Sequence, residues 1–202
     1  MTVTGATTLV ERPELTLPKA EADWLRAAYE DASVILEYGS GGSTVMASEM
    51  PGKAIWSVES DKNWANMMKA WFENEPGLSK PNIVYANVGP TGQWGMPEDK
   101  THSKRFPGYP LGVWKLDGFQ QPDVVLVDGR FRVGCFLATL YQCTKPVTLF
   151  FDDYVGREPY HVVESFLPVA ETRGRMVRFE ITPSDFPKER LLEVIQLIGR
   201  LR

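Results

Sequence analysis

Six acidic side chains, Glu37, Glu59, Asp61, Asp128, Asp152 and Asp153, stand at or just after the ends of short apolar runs. A carboxylate can accept hydrogen bonds from ligand hydroxyls, balance a positive charge, or take a proton during a reaction. Three glycines, Gly39, Gly41 and Gly42, follow the first of these acids within five positions. Glycines there allow a tight turn and a close approach of bare backbone to a ligand. Ser43 and Thr44 can then cap a helix whose free amides favour negative groups. Val34 to Thr44 therefore reads as strand, turn and helix start.

The elements that must position these residues follow from period and punctuation. Helices are predicted over 18–32, 43–50, 61 to the Glu73–Pro81 breakers, 131–143 and 159–171. Strands are predicted over 34–37, 54–59, 82–88, 123–128, 147–151, 176–182 and 191–198. Asp61 is the expected N-cap of its helix, whose Trp64, Met67, Met68 and Trp71 form a stripe expected to pack in the core. The run Val124-Val125-Leu126-Val127 is apolar throughout, as befits a central parallel strand covered on both faces. Alternating strands and helices, closed by two successive strands, predict a doubly wound α/β sheet of seven mostly parallel strands with an antiparallel C-terminal hairpin. Ligands of such sheets sit outside the carboxyl ends of the strands, where the acidic residues fall.

The chain has 202 residues, 43% of them hydrophobic, with a net charge of −4. Residues 1–17 read as an N-terminal arm and 18–202 as one domain with a long insertion at 89–122. That insertion, rich in glycine and proline, is either a lid or a surface excursion. Mixed charge without a basic face argues against nucleic acid. The absence of an apolar run of about eighteen residues argues against a membrane span. Without a leader pattern, the expectation is a soluble cytoplasmic protein. Cys135 and Cys143, eight apart on one expected helix, are too distant for a disulfide and lack the spacing of a zinc site. His161, inside an expected helix, reads as a packed or solvated side chain.

A dinucleotide fingerprint would have Gly or Ala where Thr44 stands. Glu37, just before the turn, would repel a pyrophosphate but attract the ammonium and sulfonium of S-adenosylmethionine. Glu59, 22 positions after Glu37, can accept hydrogen bonds from both ribose hydroxyls. These residues resemble the first motif of class I S-adenosylmethionine-dependent methyltransferases, an acid followed by GxGxG. Glu37-Tyr38-Gly39-Ser40-Gly41-Gly42-Ser43 matches it except at the last glycine. The resemblance, over roughly 20 to 200, implies a Rossmann-like methyltransferase fold. It places Glu37 on the methionine amino group, Tyr38, Gly39, Ser40 and Gly41 along the methionine and ribose, Glu59 on the ribose, Ser60 and Asp61 beside the adenosine, and Asn87 at the adenine edge.

Val127-Asp128-Gly129 and Phe151-Asp152-Asp153-Tyr154 resemble segments of metal-dependent O-methyltransferases of the catechol and macrocin types. That likeness implies Mg²⁺ held by Asp128, Asp152 and Asp153, with Asp128 also beside the cofactor and Asp128 and Asp153 in catalysis, while Arg130, which departs from that pattern, is expected in catalysis from its charge alone. Helix capping by the aspartates is the competing reading, and an arginine from the Arg130, Arg132 pair replacing the cation is another. The arginines, with His102, Lys104 and Arg105, would otherwise grip an anionic acceptor. The expected activity is transfer of a methyl group to an oxygen of a small molecule or saccharide. The alternatives are a cofactor-binding protein without turnover and a nicotinamide-dependent oxidoreductase.

Overall fold

The computed structural model describes residues 11–201, so the first ten residues of the expected arm lie outside the described residues. Seven strands form one sheet: β1 (Val34–Tyr38), β2 (Ala54–Glu59), β3 (Asn82–Tyr85), β4 (Val124–Val127), β5 (Val147–Phe151), β6 (Glu171–Arg173) and β7 (Met176–Ile181). Their order across the sheet is β3-β2-β1-β4-β5-β7-β6. The first five are parallel, while β7 runs antiparallel to both β5 and β6. The direction of strand order reverses between β1 and β4, and this switch point opens the crevice in which the site lies.

Period-two alternation divides the central strands between two cores. Leu36, Tyr38, Val125 and Val127 face α5 (Arg132–Gln142) and the 89–122 insertion. Ile35, Leu126, Phe150 and Met176 face α1 (Lys19–Asp31) and α2 (Gly42–Ser48). A smaller cluster joins Val45 and Ile83 to Ala65, Met68 and Phe72 of α3 (Lys62–Asn74). A fully buried side chain such as Leu25 contributes about 1.5–3 kcal/mol through area removed from water.

The insertion is folded. It contains a short helix, α4 (Gly108–Leu111), and 3₁₀ turns at Gln93–Gly95, Ser103–Arg105 and Val113–Lys115. Phe106, Tyr109 and Val113 are buried in the core. The Tyr38 hydroxyl donates to the Pro110 carbonyl at 2.7 Å and accepts from the Trp114 indole at 2.7 Å, tying the insertion to β1.

Two predicted elements differ from the observed fold. Residues 191–198 form α6 (Leu191–Ile198), not a strand. Val194, Leu197 and Ile198 fall on one helical face and pack against the core, whereas Leu191, Leu192 and Ile195 are exposed. The antiparallel hairpin is instead made by β6 and β7. The helix expected over 159–171 is a 3₁₀ segment, Glu158–Ser165, that stops before β6. Cys135 and Cys143 are buried free thiols.

Candidate cofactor and transfer site

A cavity of about 480 Å³ opens beyond the carboxyl ends of β1, β2 and β4. Its walls include Gly39 to Ser43, Glu59 to Asp61, and Asp128 to Arg130. The arm contributes Glu14 to Leu17, and Trp64, Trp94, Gly95 and Tyr109 complete the lining. This size lies within the range typical of small-molecule sites.

The glycine turn is shaped by close backbone packing. Gly39 adopts φ 109°, and a Cβ there would come within 2.9 Å of the Gly129 amide nitrogen. The turns after β1 and β4 therefore meet with no side chain between them. At Gly42 a Cβ would run into the backbone of Glu14 and Leu15, because the arm lies directly on this turn. Leu17 is buried against α1, and Arg12 pairs at 2.6 Å with Glu49, the residue that follows α2.

Glu37 stands behind the turn rather than in the cavity. Its Oε1 accepts from the Tyr29 hydroxyl at 2.9 Å and its Oε2 from Thr44 Oγ1 at 2.5 Å. Burial pushes its carboxyl above the ordinary range, while the hydroxyls of Thr44, Ser43, Tyr29 and Ser57 pull it back. Thr44 Oγ1 also accepts from the Gly41 amide at 3.0 Å, so this hydroxyl joins the buried acid to the turn. Glu37 is thus absent from the cavity lining, where the motif resemblance had placed it on a ligand ammonium. Tyr38 also points away, its hydroxyl spent on the insertion.

Glu59 does reach the cavity. Its Oε1 accepts the amides of Ser60 at 2.7 Å and Asp61 at 2.8 Å, and its Oε2 accepts the Ser40 amide at 3.3 Å. Burial raises its carboxyl from the ordinary value and these amides oppose the rise. The single long bond to Oε2 leaves that oxygen able to accept from a ligand hydroxyl. Asp61 instead caps α3 through the amides of Asn63 and Trp64, at 2.8 and 3.0 Å. Trp64, 39% exposed, departs from the expected core stripe: its indole donates to the Ser40 carbonyl at 2.8 Å and its ring faces the cavity. Trp94, 73% exposed, holds φ 59°, and its carbonyl accepts from Arg130 Nε at 2.6 Å. Asn87 lies outside this cavity, in a shallower depression with Tyr85, Gly89 and Arg105. Its Oδ1 accepts from the Gly89 amide and from Arg105, at 3.1 and 3.3 Å.

On the β4–β5 side the carboxylates meet arginines. Arg132, nearly buried, donates to the Asp128, Gly129 and Asp152 carbonyls at 2.7, 3.0 and 2.6 Å, and to Asp128 Oδ1 at 3.0 Å. Asp152, fully buried, receives both oxygens' bonds from Arg175, Nε at 3.0 Å and Nη2 at 2.7 Å. Asp153 pairs with Arg157 at 2.8 Å and lies 3.3 Å from Arg175 and 3.6 Å from Arg132. Burial lifts the Asp128 carboxyl to about 7 against the pull of Arg132, and Asp152 and Asp153 add to the rise.

These residues do not fit a divalent cation. Among the described residues no three His, Cys, Asp or Glu side chains gather as a metal site. Both oxygens of Asp152 are already committed to a guanidinium, and Mg²⁺ requires near-octahedral oxygen donors. Asp128, Asp152 and Asp153, the residues expected to hold Mg²⁺, stand here in an ion-pair cluster with Arg132, Arg157 and Arg175.

No protein-family model and no curated protein matches the chain. Among solved structures, a methyltransferase-like protein from Silicibacter pomeroyi is 54% identical, with a TM-score of 0.89 over 93% of this chain and 98% of that one. The chain belongs to this methyltransferase-like family. An O-methyltransferase from Streptomyces achromogenes involved in tomaymycin synthesis, solved with S-adenosylmethionine, is 13% identical, with a TM-score of 0.59 over 84% and 82% of the two chains. An S-adenosylmethionine-dependent O-methyltransferase from Thermotoga maritima is 10% identical, with a TM-score of 0.56 over 87% and 69%. At these identities the likeness is one of fold, and the fold is that of class I methyltransferases.

In this methyltransferase-like chain the structure gathers Gly39, Ser40, Gly41, Glu59, Ser60, Asp61, Asp128 and Arg130 around one cavity. It leaves Glu37, Tyr38, Asn87, Asp152 and Asp153 outside. Sequence reasoning missed Glu14 to Leu17, Trp64, Trp94 and Tyr109. The arm does carry one signal, apolar Leu15 and Leu17 at alternate positions beside Pro13.

Proposed function

We propose that this protein binds S-adenosylmethionine in the 480 Å³ cavity and transfers its methyl group to an oxygen of a small acceptor. The observation that carries this reading is Glu59, which rims the cavity beside the glycine turn with one carboxylate oxygen able to take a ribose hydroxyl. When bound, the cofactor supplies an electrophilic methyl on a positively charged sulfur. Gly39 to Gly41 line the methionine side with bare backbone, and Ser60 and Asp61 flank the nucleoside. Trp64 and Trp94 line the cavity with apolar surface, and the arm excludes water above the turn.

Asp128 is the group we assign to the acceptor proton. Asp128 lines the cavity with a partly exposed side chain, and its carboxyl, at about 7, can exist in both protonation states near neutral pH. Arg130, on the same wall, would hold an anionic group of the acceptor, such as a carboxylate or phosphate, by charge and paired hydrogen bonds. Asp152 and Asp153 act through the arginines that fix the β4 and β5 turns.

A thermal-shift comparison of S-adenosylmethionine, S-adenosylhomocysteine and NADH, followed by assay of S-adenosylhomocysteine release with neutral and acidic hydroxylated acceptors, tests this reading. Stabilisation by the first two ligands and turnover with an acidic acceptor are expected. Stabilisation by NADH alone would replace it with an oxidoreductase. Cofactor binding without turnover on any acceptor would leave a binding protein.

A further inference from the structure

We propose that Arg132 and Arg175 take the electrostatic place of a divalent cation, so that the transfer site works without metal. The inference rests on the proposed methyl transfer only in assigning Asp128 to the reaction. The ion-pair geometry stands independently of it.

Arg132 behaves as a hub. Its Nε, Nη1 and Nη2 together reach three carbonyls and one carboxylate, drawn from the turns after β4 and β5. A multidentate cation would knit those same two turns together. Arg175 directly precedes β7, whose antiparallel register on β5 pairs Phe151 with Val177, and its carbonyl accepts from the Tyr154 amide at 2.8 Å, which holds it beside the turn after β5. From there it closes both oxygens of Asp152 in the bidentate geometry that makes guanidinium–carboxylate pairs strong. With Arg157 on Asp153, three guanidinium groups face three carboxylates. The cluster is electrically balanced as it stands, and an added dication would have to displace arginines or bring uncompensated positive charge.

Backbone strain supports a built arrangement. Among the described residues, the three non-glycine positions with left-handed φ are Trp94, Phe131 and Asp153. Phe131 directly precedes Arg132, and Asp153 is itself a member of the cluster. Such conformations persist only where surrounding contacts over-determine them.

The test is electron paramagnetic resonance of Mn²⁺ added to the full-length protein, paired with S-adenosylhomocysteine affinity before and after EDTA treatment. The expected results are a Mn²⁺ signal equal to that in buffer and an affinity unchanged by EDTA. The Arg175→Gln variant, which frees both oxygens of Asp152, should gain Mn²⁺ binding. Stoichiometric loss of the Mn²⁺ signal in the unmodified protein, restored by Asp152→Asn, would overturn the inference. So would a roughly tenfold or greater fall in affinity after EDTA. If S-adenosylhomocysteine fails to bind under either condition, the proposed function falls, and the Mn²⁺ titration still decides the metal question.

Discussion

At the β1–β2 edge of the cavity Glu59 is met by backbone amides of Ser40, Ser60 and Asp61, whereas at the β4–β5 edge Asp128, Asp152 and Asp153 are met by the side chains of Arg132, Arg157 and Arg175. Backbone donors neutralise no charge, so Glu59 keeps its negative charge for a ligand. Guanidinium donors balance the aspartates and fix two turns against each other. One edge is therefore suited to reading a neutral, hydroxyl-bearing nucleoside. The other is suited to holding a reacting group in a fixed field, with Asp128 and Arg130 as its cavity-lining members. The comparison teaches that similar acidic residues at strand ends acquire different roles from what donates to them.

If the edges divide the work in this way, substitutions should separate turnover from binding. The largest effect is expected for Asp128→Asn, a loss of about 10²–10⁴ in kcat with little change in S-adenosylhomocysteine affinity, since a positioned base contributes that range. Steady-state kinetics beside a binding titration would check it, and equal losses in both would erase the distinction. The same carboxyl sets a pH dependence. With Asp128 lifted to about 7, kcat should rise as pH climbs through that value and the carboxyl ionises, and the Asn variant should lose the step. The sign for stability is opposite. In the unfolded chain Asp128 releases its proton near 3.8, so this group's contribution to native stability declines as pH rises from there to about 7.

Glu59→Ala should weaken S-adenosylhomocysteine binding roughly ten- to hundredfold, the worth of a hydrogen bond to a charged acceptor, while leaving the pH step in place. At the seam between the edges, Gly129→Ala would push a methyl group into the Tyr109 hydroxyl and to 2.8 Å from the Tyr38 carbonyl. Overpacking there should cost about 1–3 kcal/mol of stability in denaturant unfolding. The smallest effect is expected at the margin of the arm. Arg12→Ala removes an exposed pair with Glu49 and should change unfolding free energy by less than about 1 kcal/mol.

Most of the sheet was legible in the sequence because its strands are buried runs bounded by breakers, as in Ala54–Glu59 and Val147–Phe151, where predicted and observed limits coincide. The C-terminal part was harder. Leu191–Ile198 is so apolar that strand and helix patterns both fit, and only its packing on one face distinguishes them. Glu171–Arg173 is a short polar edge strand with no apolar alternation to advertise it.

Legibility at the site follows the same division as the two edges. Glu59 could be read because its position depends on a strand end and the local turn after it. Glu37 shares that position, yet its partners Tyr29 and Thr44 come from the helices on either side of β1, and their joint claim on the acid emerges only from packing. The capture of Asp152 depends on the antiparallel pairing of β5 with β7, which brings Arg175 to the end of β5 and which no spacing reveals. The arm's place on Gly42 is likewise set by contact between distant backbones.

The most direct test of the central claim is a calorimetric titration of S-adenosylhomocysteine into the unmodified protein and into Glu59→Ala. Saturable one-to-one binding, weakened at least about tenfold by the substitution, is the result expected if Glu59 grips the ribose in this cavity. No binding to the unmodified protein, or binding equally tight without Glu59, would contradict it.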